Sequence, residues 1–257
     1  MGSRPRAGAR PRVSRPDRLA VVCGTATDVG KTWVACALLR GLRRRGIPVA
    51  ASKPAQSFAS NGQATDAERL AAASGQSPRD VCPAHRWYPA AMAPPMAAEA
   101  LGRKAITVAG LAAELEWPPL AAVGIVESAG GVRSPLASDG DTVTLCRLLA
   151  PDLAILVASA GLGTINAVRL SARALADGGA PIVVYLNRYQ AADGLHRRNR
   201  EWLAGRDGFD VVISVGQLMR RLLAPSPEHV LPGHGRPIRS ARSLTTTSAP
   251  CARSSSP

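Results

Sequence analysis

Between Cys23 and Leu39 the sequence reads CGTATDVGKTWVACALL, a glycine-containing turn followed by Lys31 and Thr32 at the mouth of an apolar helix. The segment Thr25 to Thr32 has the spacing of a phosphate-binding P-loop, preceded by Gly24, with Thr25 replacing the usual first glycine. In such a loop, successive backbone N–H groups and the helix N-terminus cradle anionic phosphates. Lys31 would place a point charge on the β- and γ-phosphates, and the Thr32 hydroxyl would ligate Mg²⁺. A helix capped by Asp28 with a solvent-facing lysine is the plainer reading. It leaves the register of strand, loop, G-K-T and helix unexplained.

Five further places hold residues of useful chemistry. Lys53 and Ser57 lie in SKPAQS after a second strand, so they emerge at the same sheet edge as the loop, where parallel α/β sheets bind ligands. Lys53 is one of only three lysines among 32 basic residues, the others being Lys31 and Lys104. Asp66 in QATDAERL reads as a metal ligand or as a helix cap. Glu127 ends an apolar strand and precedes Ser128, Ala129 and Gly130, so its carboxylate can meet a cation held by Thr32 while the glycine lets backbone approach phosphate. GLGTIN, containing Gly163, Thr164 and Asn166, is a second glycine turn into a helix N-terminus, suited to an anion. Asn187 ends VVYLN and could read an adenine edge through its amide. By residue type alone a surface lysine, a strand-end acid and simple caps explain these positions as well.

The elements that must position these groups are legible as alternating short apolar runs and longer amphipathic ones from Leu19 to about Ile213. Strands are predicted at 19–24, 47–54, 122–128, in DLAILVAS, in PIVVYLN and finally in FDVVIS. Helices are predicted at 31–46, 65–74, near Val108, in DTVTLCRLLA, in GTINAVRLSARALADGG and in LHRRNREWLAG. Near-continuous β-branched strands between helices specify a predominantly parallel sheet with helices on both faces, an α/β fold of the P-loop NTPase kind. The reading assigns one domain to 19–223, flanked by a basic tail (1–18) and a Pro/Ser/Arg-rich tail (224–257), both expected to be disordered.

Bulk properties narrow the function classes. The formal charge of the 257 residues is +14, of which +5 falls in residues 1–18 and +3 in 225–257. More than half of the excess thus sits in the two tails, which argues against a dedicated nucleic-acid surface. No apolar run approaches the ~18 residues that span a bilayer, and the arginine-rich start lacks a signal-peptide core. Cys23, Cys36, Cys82, Cys146 and Cys251 are scattered without a C-x-x-C pair, which points to structural thiols in a reducing compartment, hence the cytoplasm.

Taken in order from Leu19 to Asn187, these motifs resemble dethiobiotin synthetase, the ATP-dependent ligase of biotin synthesis. GTATDVGKT is similar to the family's G-T-x-T-x-V-G-K-T, SKPAQS to K-P-x-x-S-G, TDA to its metal-binding aspartate, and YPAAMAPPMAAEALG to a Pro-rich stretch. VESAGG resembles V-E-G-A-G-G, GLGTIN resembles L-G-x-I-N, and the LN ending at Asn187 resembles the adenine-side asparagine. The resemblance implies ATP as co-substrate along Asp28, Val29, Gly30, Lys31, Thr32 and Trp33, then at Glu127 to Gly130 and at Asn187. It implies Mg²⁺ on Thr32, Asp66 and Glu127, and Lys31 and Lys53 as the catalytic cations. Thr27 and Ser57 would hold the amine or carbamate end of 7,8-diaminopelargonate, and Gly163, Thr164 and Asn166 its distant carboxylate. A homodimer is implied too.

The sequence departs from that pattern at Ala26, where a polar residue is frequent, at Phe58 and Ser128, where glycine is expected, and at Arg188, where an acid is common. The G-x-I-P segment that closes over adenine is missing. Two alternatives therefore stay open: a paralogue with altered substrate or lost activity, and a deviant-Walker switch ATPase of the partition or septum-positioning type. The latter would carry a lysine at the position of Ala26.

Overall fold

Six parallel strands form the central sheet of the computed structural model, which describes residues 15–225. In chain order the elements are β1 (Arg18–Gly24), α1 (Lys31–Arg43), β2 (Val49–Ser52), β3 (Gln56–Ser57), α2 (Asp66–Ser74), α3 (Pro78–Val81), β4 (Trp87–Tyr88), α4 (Pro94–Ala100) and α5 (Val108–Ala113). There follow β5 (Val123–Glu127), α6 (Thr142–Leu149), β6 (Leu153–Ser159), α7 (Thr164–Ala176), β7 (Ile182–Asn187), α8 (Gly194–Glu201), β8 (Val211–Val212) and α9 (Val215–Leu223). The strand order is β2-β5-β1-β6-β7-β8, so β1 is central and its carboxyl end opens between those of β5 and β6. Most of both tails inferred from the sequence lies outside the described residues, as does Cys251.

Alternation along β1 decides which helices cover which face. Leu19, Val21 and Cys23 pack with residues of α5, α6 and α7, whereas Ala20 and Val22 pack with residues of α1, α2 and α9. Both faces are therefore covered, which is why the strands read as unbroken apolar runs. Four free cysteines are buried in this core, and burial pushes the Cys36 thiol up to about 11 and those of Cys82 and Cys146 to about 12. They are protonated and unreactive near neutrality. No helix among the described residues is long and apolar enough to cross a membrane.

Three local details differ from the sequence expectation. The first helix stops at Arg43 and the chain turns through Gly46 at φ 72°, because the arginine run offers no apolar face to bury. The loop-rich stretch after β2 contains a small parallel ladder pairing Gln56 with Trp87 and Ser57 with Tyr88. A last helix, α9, lies beyond the alternation that runs to about Ile213. Its signals were present: Ser214 caps it by accepting from the Gln217 N–H, and Leu218, Met219 and Leu222 supply a buried stripe at helical spacing. Leu218→Ala is expected to lower the unfolding free energy by about 2–5 kcal/mol. Urea denaturation checks this, and an unchanged midpoint would remove α9 from the core.

Candidate functional site

The first turn of α1 presents open backbone donors. Its N-cap is Gly30, in the left-handed region at φ 96°, and no side chain caps the helix, Asp28 included. Asp28 itself is left-handed at φ 59°, so the loop curls over the end of β1. Two contacts hold that shape: Thr25 N–H donates to the Val157 carbonyl at 3.0 Å, and the Asn187 side-chain amide donates to the Val29 carbonyl at 2.9 Å. A Cβ on Gly30 would lie 2.0 Å from the Asn187 nitrogen, so a glycine is required by both φ and space. The Lys31 ammonium folds back onto the Ala26 carbonyl at 3.0 Å. Burial, reinforced by the Lys53 charge, pushes the Lys31 pKa below the usual lysine value.

Beside this loop stands a charged cluster built from four elements. Val22 on β1 is in register with Glu127 on β5, and β5 pairs in turn with β2, whose end leads into Lys53. The Lys53 ammonium lies 2.6 Å from Glu127 Oε1, 2.9 Å from Asp66 Oδ2 and 3.3 Å from the Ser128 carbonyl, so its three protons are all engaged. Lys53 is 2% exposed and Glu127 wholly buried. Burial opposes the ammonium charge, but Glu127 and Asp66 outweigh it and hold the Lys53 pKa above its ordinary value. Burial likewise works against the Asp66 carboxylate, and Lys53 and Thr32 nonetheless keep its pKa below the usual range.

Asp66 reaches this cluster because the start of α2 is doubly tied. Thr65 and Glu68 form a reciprocal capping box, and Gln56 Oε1 accepts from the Ala67 N–H at 3.0 Å. Thr65, not Asp66, is the cap, which leaves the Asp66 carboxylate free for the site.

The Thr32 hydroxyl oxygen lies 2.9 Å from Asp66 Oδ1 and 2.8 Å from Glu127 Oε1, and its single proton can satisfy only one of them. Glu127 Oε2 is buried without any partner. These oxygens fit a hard cation. No group of three or more His, Cys, Asp or Glu that could hold a metal occurs among the described residues. Two carboxylates and a hydroxyl nonetheless suit Mg²⁺, which keeps waters and takes much of its shell from phosphates.

A cavity of about 680 Å³ opens over the loop and cluster. Of the residues expected from sequence, Thr27, Asp28, Gly30, Lys31, Thr32 and Trp33 line it, as do Lys53, Ser57, Asp66, Ala129 and Gly130. Val29, Glu127, Ser128 and Asn187 stand behind the wall: Val29 packs on the core, Ser128 is buried, and Asn187 fastens the loop. Gly163, Thr164 and Asn166 are not brought to this cavity; they sit at the start of α7, where Asn199 donates to the Ala160 and Gly161 carbonyls. Sequence reasoning missed Arg69, Ser134 and the Ala91–Pro94 wall, against which Ser57 donates to the Met92 carbonyl at 2.5 Å. The Pro-rich spelling YPAAMAPP was the available signal for that wall. Arg188, noted in the sequence only as a departure, also lines the cavity.

Glu127→Gln removes the charge facing a buried ammonium and is expected to cost about 3–5 kcal/mol, measured by chemical denaturation at neutral pH. Gly30→Ala should cost about 1–2 kcal/mol from left-handed backbone alone, and more through the displaced Asn187 amide. A melting temperature equal to the wild type would contradict the second expectation.

Comparison with known proteins agrees with this geometry. A family model described as an AAA domain matches residues 18–219. The ATP-dependent dethiobiotin synthetase of Anaeromyxobacter dehalogenans (strain 2CP-C) is 40% identical over 170 residues, 65% of this chain and 75% of that protein. The enzyme of the same name from Rhodococcus jostii is 38% identical over 214 residues, 80% of this chain and 89% of its own length. That from Mycobacteroides abscessus is 32% identical over 210 residues, again 80% and 89%. A P-loop set beside a buried Lys53–Glu127–Asp66 cluster, on a chain matched along most of its folded length, identifies it as a member of the dethiobiotin synthetase family.

Proposed function

We propose that this protein carboxylates 7,8-diaminopelargonate and closes the ureido ring of dethiobiotin at the expense of ATP. The observation that carries the reading is the placement of Lys53, a second cation besides Lys31, in one cavity with the phosphate loop. A switch ATPase of the partition type would place its second lysine inside the loop, at the position of Ala26, whereas here the second lysine comes from the end of β2. In the reaction, one substrate amine bonds to the carbon of CO₂ and loses a proton, giving a carbamate. A carbamate oxygen then attacks the γ-phosphorus as the bond to the ADP oxygen breaks. The neighbouring amine adds to the carbonyl carbon and gives up a proton as the C–O bond to phosphate breaks.

Each stage gathers negative charge on oxygens, so positioned cations lower its barrier more than an acid–base pair would. Lys31, released from the Ala26 carbonyl, would follow the β- and γ-phosphates, and the open N–H groups of the first turn of α1 would hold them in place. Lys53 would exchange part of its carboxylate cage for the carbamate and the transferring phosphoryl group. Its compact charge on a flexible stem suits such a move. Thr32, Asp66 and Glu127 would hold Mg²⁺, which supplies further charge neutralisation when bound. Thr27 and Ser57 line the same cavity and would hydrogen-bond the amine or carbamate end.

The start of α7 bears on the assembly. Gly163, Thr164 and Asn166 lie outside the cavity of their own chain, and the neighbouring Leu162 is 91% exposed. A homodimer in which this turn faces the second copy's cavity would let it take the distant carboxylate of a substrate bound there. The partition-type alternative is disfavoured by Ala26, which stands where a lysine would be needed.

Phosphate release with Mg-ATP, bicarbonate and diaminopelargonate tests the reading. Release should depend on the diamine and fall about a hundred- to a thousand-fold in Lys53→Ala. Turnover indifferent to the diamine and stimulated by DNA would overturn it.

A further inference from the structure

Glu127 receives both of its donors on one oxygen. Its Oε1 lies 2.6 Å from the Lys53 ammonium and 2.8 Å from the Thr32 hydroxyl, whereas Oε2 is buried and has no partner among the described residues. The Thr32 hydroxyl is crowded in the opposite sense, with Asp66 Oδ1 at 2.9 Å and Glu127 Oε1 competing for one proton. Lys53 bridges the same two acids, reaching Asp66 Oδ2 at 2.9 Å, and is 2% exposed although it stands on the cavity wall. The two carboxylates that suit a divalent cation are thus the two that hold the second lysine.

One pair of carboxylates cannot serve two cations equally well. Counting Lys53, Asp66 and Glu127, the cluster carries one negative charge in excess. A divalent cation on the two acids turns that into one positive charge in excess. Ammonium and metal then repel each other at close quarters in a buried, weakly screened place. The backbone cannot yield, because Lys53 N–H donates to the Val81 carbonyl at 2.7 Å and β2 is paired to β5. The side chain can. Its stem is flexible, and the cavity that it already lines, together with Lys31 and Ser57, offers it room.

We propose that Lys53 is a metal-released cation: its ammonium competes with Mg²⁺ for Asp66 and Glu127, and loading of the metal frees it into the cavity. The inference rests on the synthetase reading above and adds an order of events to it. Without metal, Lys53 is caged and its charge is cancelled. With metal on Thr32, Asp66 and Glu127, Lys53 is free to meet the carbamate and the transferring phosphoryl group. The second cation therefore reaches its ligand only in a site already prepared for the transfer. By linkage the competition is reciprocal, so the ammonium weakens the metal site by the same factor by which the metal weakens the cage.

Acetylation of the wild-type full chain, read lysine by lysine by mass spectrometry, tests this without any substitution. Lys31, Lys53 and Lys104 are the only lysines, and the exposed Lys104 serves as internal standard. With limiting acetic anhydride, no nucleotide and matched ionic strength, Lys53 should react about ten-fold faster, relative to Lys104, in saturating Mg²⁺ than in chelator. An equal or lower rate overturns the proposal. Lys53→Met removes the charge and keeps most of the stem. It should bind Mn²⁺, a cation of similar ligand preference, about ten-fold tighter than the wild type, as read from the paramagnetic resonance of the free ion. Equal or weaker binding overturns the competition, and so does absence of binding in both forms. If Glu127, left unpaired, keeps the variant from folding, acetylation of the wild type decides alone. Phosphate release that stays diamine-dependent beside an unreactive Lys53 would overturn the release of the ammonium and leave the synthetase reading standing.

Discussion

The site is organised around the Lys53 ammonium, which is withdrawn from water and compensated by two carboxylates and a backbone carbonyl. A buried charge of that kind is tolerated only where its partners are held at hydrogen-bond distance. Lys53 comes from the end of β2, Glu127 from the end of β5, and Asp66 from the start of α2. The pairing of β2 with β5 and of β5 with β1, together with the capped start of α2, must therefore be correct before the charges can balance. The same arrangement leaves Lys53 strongly attracted to its own protein. A ligand or cation that loosens those carboxylates changes where its charge can go.

The sheet supplies the second constraint. Because every neighbouring pair in it is parallel, the carboxyl ends of β1, β5, β6 and β7 all open at one edge. Loops leaving that edge gather phosphate donors, acids and lysines into one cavity although they lie far apart along the chain. Covered on both faces by helices, the sheet is a rigid frame, and the mobile chemistry is confined to side chains at its rim.

Much of this was legible in the residues. G-K-T after an apolar strand and before an amphipathic helix located the phosphate loop, because each feature is set by local geometry. The scarcity of lysine drew attention to Lys53, and the β-branched runs specified a parallel sheet. Less legible was whatever depends on contacts between distant segments. Asn187 was placed at the base by its residue type, and the structure adds that one of its amide protons is bonded to Val29. The turn at Gly163 lies outside the cavity of its own chain, so its part in a site depends on a second copy. The helix from Val215 to Leu223 carries Arg220 and Arg221 beside its apolar stripe, and its place in the core depends on packing with residues of β1 and α1.

The fold class, the phosphate loop and the family are readable from the residues, since these rest on local spacing and on motifs kept in order. Which side chains face the cavity and which stand behind its wall depends on how distant segments pack. A one-residue step at the end of a strand, from Asn187 to Arg188, carries a side chain from a buried anchor to the cavity wall. Packing of neighbouring strands and the left-handed turn that follows settle which of the two is presented, and neither is encoded in residue type alone.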